Sequence, residues 1–159
     1  NAHSHTPMPE EFATLVRSRM AEKFKSELTE IEGAKAVLQN LQARGIPICV
    51  GSNGPRAKAE LTLGLTDLLP FFQTPVDRLF CAYEHDTFKP APDLFLIAAK
   101  ALGVAPAHCA VVEDSPTGLR AGIAAGMQVF SLMHPEQVPD NLDTHITHLP
   151  HLRALLQYL

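Results

Sequence analysis

The sequence has no tryptophan and no CxxC pair of cysteines, and none of its apolar runs approaches the roughly 18 residues that a membrane span needs. Positive charge is also scarce, because 13 lysines and arginines stand against 17 aspartates and glutamates, for a formal charge of −4. A chain without a basic field is a poor partner for nucleic acid or anionic lipid. We therefore expect no binding to nucleic acid and none to a membrane.

The length and composition that remain fit one ordinary globular domain. At roughly 100–200 residues per domain, 159 residues predict a single domain. Apolar residues make up 46% and charged residues 19%, far from the composition of a disordered chain. The three cysteines (Cys49, Cys81 and Cys109) lie in or beside apolar runs, which is typical of reduced thiols in a core. We expect a cytoplasmic protein.

The first part of the chain predicts two helices. Residues 9–28 repeat apolar side chains every four positions, at Phe12, Val16, Met20, Phe24 and Leu28. This spacing is typical of an amphipathic helix. We interpret its apolar stripe as a packing face rather than a partner-binding face. A second helix is predicted over residues 32–44 and ends at Gly45.

From residue 46 onwards, short apolar strands alternate with helices. The predicted strands cover residues 46–52, 78–82, 109–113 and 127–132, with a last short strand near Ile146. The predicted helices cover residues 55–64, 92–102 and 116–125, with another from about residue 150. Continuously apolar strands separated by helices are typical of a parallel sheet that is covered on both faces. The sequence therefore predicts an α/β fold with three Rossmann-like layers.

Polar groups follow the first predicted strand, which ends in Ser52, Asn53 and Gly54 and runs into a helix. In parallel sheets, ligands bind beyond the carboxyl ends of the strands. A hydroxyl, an amide and backbone N–H groups at such a place form an anion site, for which phosphate is the usual anion. The alternative, a plain turn and helix N-cap, fits the same residue types and stays open.

The third strand ends in two adjacent carboxylates, Glu113 and Asp114. Oxygen ligands at this place suit Mg²⁺, which needs only one or two protein carboxylates and otherwise binds water. The alternative is that Asp114 only caps the helix that follows. Both interpretations stay open on the residues alone.

Lys89 stands in the segment Phe-Lys-Pro-Ala-Pro, just before a helix. Alone it would be interpreted as a solvated loop residue, although the flanking prolines stiffen the backbone that carries it. Ser52, Lys89 and the acidic pair each follow a successive strand, so we expect them to meet in one crevice. A hydroxyl, a cation and two carboxylates in one crevice suit phosphoryl chemistry.

These segments resemble the haloacid dehalogenase superfamily, in particular its small sugar-phosphate phosphatases and β-phosphoglucomutase-like enzymes. The resemblance covers residues 32–132 and rests on the segments 48–54, 89–95, 111–118 and 121–127. It implies that Ser52 donates to a phosphoryl oxygen and that Lys89 neutralises the phosphoryl group and the nucleophile. It also implies that Glu113 and Asp114 hold Mg²⁺, and that Asn53 and Gly54 add contacts to the same phosphate.

The acidic pair favours a Mg²⁺ phosphatase or mutase over a true dehalogenase, which uses no metal. The mechanism that the resemblance implies passes through an aspartyl-phosphate that water later hydrolyses. The family's nucleophile lies in an Asp-x-Asp-Gly-Thr segment after the first, central strand, and this sequence contains no Asp-x-Asp. We therefore expect residues 1–28 to be a remnant of the family's helical cap and residues 29–159 to be a core domain that lacks its first central strand.

Two functions are predicted on this basis. The first is a Mg²⁺-dependent phosphatase for a small phosphorylated metabolite such as a sugar phosphate, nearly inactive as written because the covalent step has no acceptor. The second is a non-enzymatic, degenerate domain that binds a partner or itself. In either case we expect the gap left by the strand to be closed by rearranged strand pairing or filled by a second copy in a homodimer.

Overall fold

The structure is a computed structural model that describes residues 10–159. Its helices are α1 (Glu10–Glu27), α2 (Ala34–Ala43), α3 (Arg56–Leu65), α4 (Pro70–Gln73), α5 (Ala82–His85), α6 (Asp93–Leu102), α7 (Pro116–Ala124) and α8 (Asp140–Asp143). Its strands are β1 (Val50–Ser52), β2 (Leu79–Cys81), β3 (Ala110–Glu113), β4 (Gln128–Ser131) and β5 (Thr147–His148). Among residues 10–159, no helix has both the length and the apolar character that crossing a bilayer requires.

The strands form two parallel sheets instead of one. β1 pairs with β2, with Val50 opposite Leu79, while β3, β4 and β5 pair in that order. Within the part of the chain that the structure describes, no strand joins β1 to β3. The predicted α/β class with parallel strands and flanking helices is confirmed. Of the two ways in which we expected the gap to be closed, rearranged strand pairing is wrong for residues 10–159, and filling by a second copy stays a prediction.

Helix α6 fixes the spacing of the two sheets from one side. It contacts β1, β2 and α7. The ring of Phe95 lies 3.0 Å from the place where a Cβ of Gly51 in β1 would stand. The same ring belongs to the core cluster that contains Val111 of β3. One aromatic side chain thus packs beside strands of both sheets, on the face that α6 covers.

Helix α2 spans the two sheets on the opposite face. Its Val37 packs with Phe130 of β4, whereas its Ala34 packs with Leu79 of β2. The first of these clusters also holds Leu155, in the 3₁₀ turn Leu152–Gln157. Adjacent strand residues point to opposite faces, so the two helices enclose both sheets between them. This accounts for the three layers.

The predicted element boundaries hold best where glycine ends a helix. Gly103 and Gly126 follow α6 and α7 with φ of 69° and 70°, a conformation that most other residues avoid. The predicted strand over residues 46–52 shortens to β1, because only those three residues have partners in β2. The predicted final helix is the 3₁₀ turn Leu152–Gln157, and the short helices α4 and α5 were not predicted.

The apolar stripe of α1 is largely uncovered. Phe12, Leu15, Val16 and Met20 are 36–53% exposed. Near its end α1 contacts α3, and the Lys58 ammonium lies 5.9 Å from the centre of the Phe24 ring. The interpretation of the stripe as a packing face is therefore wrong for Phe12, Val16 and Met20, and it is right for Phe24. The start of that prediction, residue 9, lies outside the described residues, and the domain division at residue 28 stays a prediction.

Candidate active site

The gap between the two sheets opens into a cleft of about 370 Å³ at the carboxyl ends of β1 and β3. Its walls include Val50 and Val112, one from each strand beside the gap. The other lining residues are Gly51, Ser52, Asn53, Gly54, Lys89, Glu113, Asp114, Ser115 and Thr117. All six residues that the sequence nominates therefore lie in one cleft. Ser115 and Thr117 were not predicted.

Ser52 ends β1 with its hydroxyl in a tight turn. Its Oγ accepts a hydrogen bond of 3.0 Å from the Gly54 N–H. This bond uses a lone pair, so the hydroxyl hydrogen can donate to a ligand in the cleft. The N-cap of α3 is Pro55, without a side-chain cap. The alternative of a plain turn is thus partly right, whereas the alternative of a Ser or Asn N-cap is wrong.

Asn53 uses its carboxamide on the backbone of Lys89. Its Nδ2 donates to the Lys89 carbonyl oxygen at 3.1 Å, and its Oδ1 accepts from the Lys89 N–H at 2.8 Å. The end of β1 and the loop between α5 and α6 are therefore joined by two hydrogen bonds. A phosphate contact from this residue would come from its backbone N–H while both side-chain atoms hold Lys89.

Lys89 points into the cleft and forms an ion pair with Glu113, and each side chain is 8% exposed. Its ammonium also lies 4.7 Å from the centre of the Phe95 ring, within the range of a cation–π interaction. The interpretation of Lys89 as a solvated loop residue is therefore wrong. A buried cation at this place can meet an anionic ligand with little competition from water.

Glu113 has both carboxylate oxygens engaged. Oε1 pairs with Lys89, and Oε2 accepts a 3.1 Å hydrogen bond from the Ser115 hydroxyl. Ser115 is also the N-cap of α7, because its Oγ accepts from the Gly118 N–H at 3.1 Å. The alternative that Asp114 caps this helix is wrong. The signal for Ser115 was available: a serine directly before a proline at a helix start is a typical N-cap.

Asp114 is the exposed carboxylate of the acidic pair and makes no side-chain bond within the described residues. Nor do the described residues bring three His, Cys, Asp or Glu side chains together as a complete metal site. Mg²⁺ is compatible with one carboxylate when water and phosphate oxygens supply the remaining ligands. The donor set therefore fits Mg²⁺ through Asp114, with Glu113 already committed to Lys89 and Ser115.

Arg56, the first residue of α3, ties together the elements behind the cleft. Its Nη2 donates to the Leu79 carbonyl oxygen at 2.8 Å and to Glu84 Oε2 at 2.9 Å, while Nη1 lies 2.9 Å from the Asp77 carboxylate. The hydrogen bond from Arg56 holds the pKa of Glu84 below its ordinary value. Helix α3 follows the Ser52 turn and α5 precedes the Lys89 loop. Arg56 therefore fixes the two supports of the site relative to each other.

Cys49 and Cys109 precede β1 and β3, at the opposite end of these strands from the cleft. Burial raises the pKa of the Cys49 thiol to about 11, and neighbouring Cys109 contributes in the same direction. All three cysteines are free thiols. A thiol with so high a pKa is protonated and unreactive near neutral pH, so Cys49 is a packing group rather than a nucleophile.

Comparison with known proteins identifies the class. The model of the haloacid dehalogenase-like hydrolase family matches residues 6–126. The chain therefore belongs to the haloacid dehalogenase-like hydrolases, which confirms the resemblance drawn from the sequence. It is 37% identical to the 6-phosphogluconate phosphatase of Escherichia coli (strain K12), over 94% of this chain and 68% of that protein.

Two solved structures share the fold. A HAD family hydrolase from Deinococcus radiodurans R1, solved with bound phosphate and sodium, has a TM-score of 0.75 and 31% identity, over 97% of this chain and 68% of that one. A putative β-phosphoglucomutase from Thermotoga maritima has a TM-score of 0.81 at 22% identity, over 98% of this chain and 73% of that one. The chain thus spans about two thirds to three quarters of these relatives.

Proposed function

We propose that the protein is a Mg²⁺-dependent phosphomonoester hydrolase whose substrate is a small phosphorylated metabolite such as a sugar phosphate. The observation that carries the proposal is that Ser52, Lys89 and Asp114 line one cleft at the carboxyl ends of β1 and β3. A phosphatase among the relatives and a phosphate-bound structure among the neighbours support it.

In this proposal the cleft binds a phosphoryl group by hydrogen bonding and charge. The Ser52 hydroxyl and the backbone N–H groups of Asn53 and Gly54 donate to phosphoryl oxygens. Lys89 supplies the positive charge, and Glu113 keeps that charge in place when no ligand is bound. Positioning and charge neutralisation are what phosphoryl transfer chiefly requires from a protein.

Asp114 would hold the magnesium ion, which would shield the negative charge of the phosphoryl oxygens. The two carboxylates of the acidic pair then have different roles. Glu113 orients Lys89, and Asp114 faces the solvent and the ligand. No other carboxylate lines the cleft among the described residues. We therefore propose that this 159-residue chain binds phosphate but does not turn over p-nitrophenyl phosphate. The reason is that the two carboxylates lining the cleft among the described residues would be engaged, Glu113 with Lys89 and Asp114 with Mg²⁺.

The test is calorimetric titration of the chain with inorganic phosphate, with and without Mg²⁺. We expect binding that Mg²⁺ strengthens, a loss of that effect in Asp114→Asn, and weaker binding in Ser52→Ala. Asp140→Asn, a matched change at an exposed aspartate of α8, should bind like the unaltered chain. Absence of phosphate binding would overturn the proposal, and a normal rate of p-nitrophenyl phosphate hydrolysis would overturn the inactivity of this chain.

A second candidate is self-association through the gap. The observation that favours it is that, in residues 10–159, β1 pairs only with β2 and β3 only with β4. Unpaired strand edges invite a strand from another molecule. A second copy in the gap would yield a dimer in sedimentation equilibrium and would block phosphate, whereas a monomer at all concentrations would contradict it. We assign either function to the cytoplasm, where cysteines remain reduced.

A further inference from the structure

We propose that Asn53 is a positioning residue that acts on the phosphate site through Lys89, by fixing the main chain from which the ammonium reaches the cleft. This inference rests on the proposed phosphate site and concerns how that site is built. It changes the role of Asn53, whose side chain then serves Lys89 and does not bind the ligand directly.

The geometry of the carboxamide carries the inference. Asn53 is 36 residues from Lys89 in sequence, yet it bonds both backbone polar groups of that one residue, donating through Nδ2 and accepting through Oδ1. A bidentate contact of this kind fixes orientation as well as distance. It requires a donor and an acceptor side by side on a short side chain, which aspartate and alanine do not offer.

Lys89 needs such an anchor because its side chain is long and flexible. The ammonium pairs with Glu113 beside β3, while the backbone is held by Asn53 beside β1. Lys89 therefore spans the gap, with its backbone bonded to Asn53 and its ammonium paired with Glu113. Without the Asn53 contact, the loop between α5 and α6 loses its two hydrogen bonds to β1. The ammonium then keeps Glu113 and the Phe95 ring as partners but reaches them from a main chain that is no longer fixed, so its position in the cleft becomes less well defined.

A double-mutant cycle separates this role from direct binding. Inorganic phosphate affinity is measured by calorimetry for the unaltered chain, Asn53→Ala, Lys89→Met and the double variant. If Asn53 acts through Lys89, Asn53→Ala weakens binding about tenfold in the unaltered chain and less than twofold in Lys89→Met. Equal losses in both backgrounds would overturn the proposal. Asn40→Ala, at an exposed asparagine of α2, is the matched control and should change nothing.

A ligand-free measurement distinguishes failure of this inference from failure of the proposed function. The ¹³Cε resonance of Lys89, assigned by comparison with Lys89→Met, reports the surroundings of the ammonium without any phosphate. In Asn53→Ala we expect it to move toward the position of an exposed lysine. In Asn53→Asp, which keeps an acceptor for the Lys89 N–H but has no donor, we expect a smaller shift. Asn53→Asp also serves as the test should Asn53→Ala fail to fold.

If the Lys89 resonance does not move in a folded Asn53→Ala or Asn53→Asp variant, the inference is overturned, whatever the affinity of that variant for inorganic phosphate. If the unaltered chain binds no phosphate while the resonance moves as described, the proposed function fails and the positioning role stands. Circular dichroism melting of each variant shows whether the protein compared is folded.

Discussion

Lys89 and Glu113 form an ion pair across the two sheets, and each of the two side chains is 8% exposed. Lys89 follows β2, which pairs with β1, whereas Glu113 is the last residue of β3. The pair therefore links the two sheets at a point where no strand of residues 10–159 joins them. Buried ion pairs add little net stability, but removing one partner leaves a buried charge without compensation.

The first prediction follows from that asymmetry. Lys89→Met should lower the free energy of unfolding by about 3 kcal/mol, because Glu113 keeps a buried charge. Adding Glu113→Gln should recover part of the loss, since the remaining side chain is neutral and still accepts from Ser115. Urea unfolding at neutral pH measures both. Lys100→Met, at an exposed lysine of α6, should cost less than about 0.5 kcal/mol. A double variant no more stable than Lys89→Met alone would contradict the prediction.

The second prediction concerns Gly118, over which the Glu113 carboxylate lies. A Cβ at this position would overlap that carboxylate. Gly118→Ala should therefore destabilise the protein by about 1–3 kcal/mol and displace Glu113 from Lys89. Gly64→Ala is the matched change, because its helical Cβ would come no nearer than 4.0 Å to its neighbours. It should stabilise the protein by up to about 1 kcal/mol. Thermal unfolding compares the two, and equal effects would count against the role of Gly118.

The third prediction uses the Cys49 thiol. Burial raises its pKa to about 11 in the folded protein, against about 8.5 in the unfolded chain. The folded state thus holds the proton more tightly, and this stabilising contribution is complete below about pH 8.5 and is lost as the pH rises towards 11. Urea midpoints of the unaltered chain and of Cys49→Ala should therefore diverge across that range, with the unaltered chain losing more stability. If the urea midpoints of the two proteins change in parallel with pH, the effect of the Cys49 thiol is excluded.

The fourth prediction tests the contacts by which Arg56 joins α3 to the elements behind the cleft. Lysine has one ammonium and cannot bond Glu84, Asp77 and the Leu79 carbonyl at once, so Arg56→Lys should cost about 1 kcal/mol. Because the pKa of Glu84 is lowered, its contact with Arg56 adds its full stability above the ordinary carboxyl pKa. This stability is lost as the pH falls below that value. High salt should reduce the difference in stability between the unaltered chain and Arg56→Lys. Arg120→Lys, on the exposed side of α7, is the control, and an equal loss there would refute a specific role.

The candidate site was predictable because parallel strands share one edge. Ser52, Glu113 and Asp114 each end a predicted strand, and Lys89 follows another, so their meeting followed from topology alone. The bond between Asn53 and Lys89 was not predictable in this way. It depends on the path of a loop between residues 36 positions apart, which no local pattern encodes.

Periodicity likewise showed which face of α1 is apolar but not what covers it. Phe12 and Phe24 belong to the same stripe, yet Phe12 is 53% exposed while Phe24 meets Lys58 of α3. The separation of β1 from β3 within residues 10–159 agrees with the missing central strand that the resemblance implied. The position of the Phe95 ring beside Gly51 lay beyond sequence patterns, because it depends on side-chain packing in three dimensions.

The packing of α2 against the 3₁₀ turn Leu152–Gln157 has a consequence for synthesis on the ribosome. Val37 and Leu155 belong to one core cluster, although they lie near opposite ends of the described chain. Part of the apolar face of α2 therefore stays uncovered until nearly all of residues 10–159 have emerged. Contacts between such distant segments form late and slowly, and an apolar helix face left open meanwhile invites aggregation or chaperone capture. Within residues 10–159, the contact between α2 and this turn is therefore among the last to form.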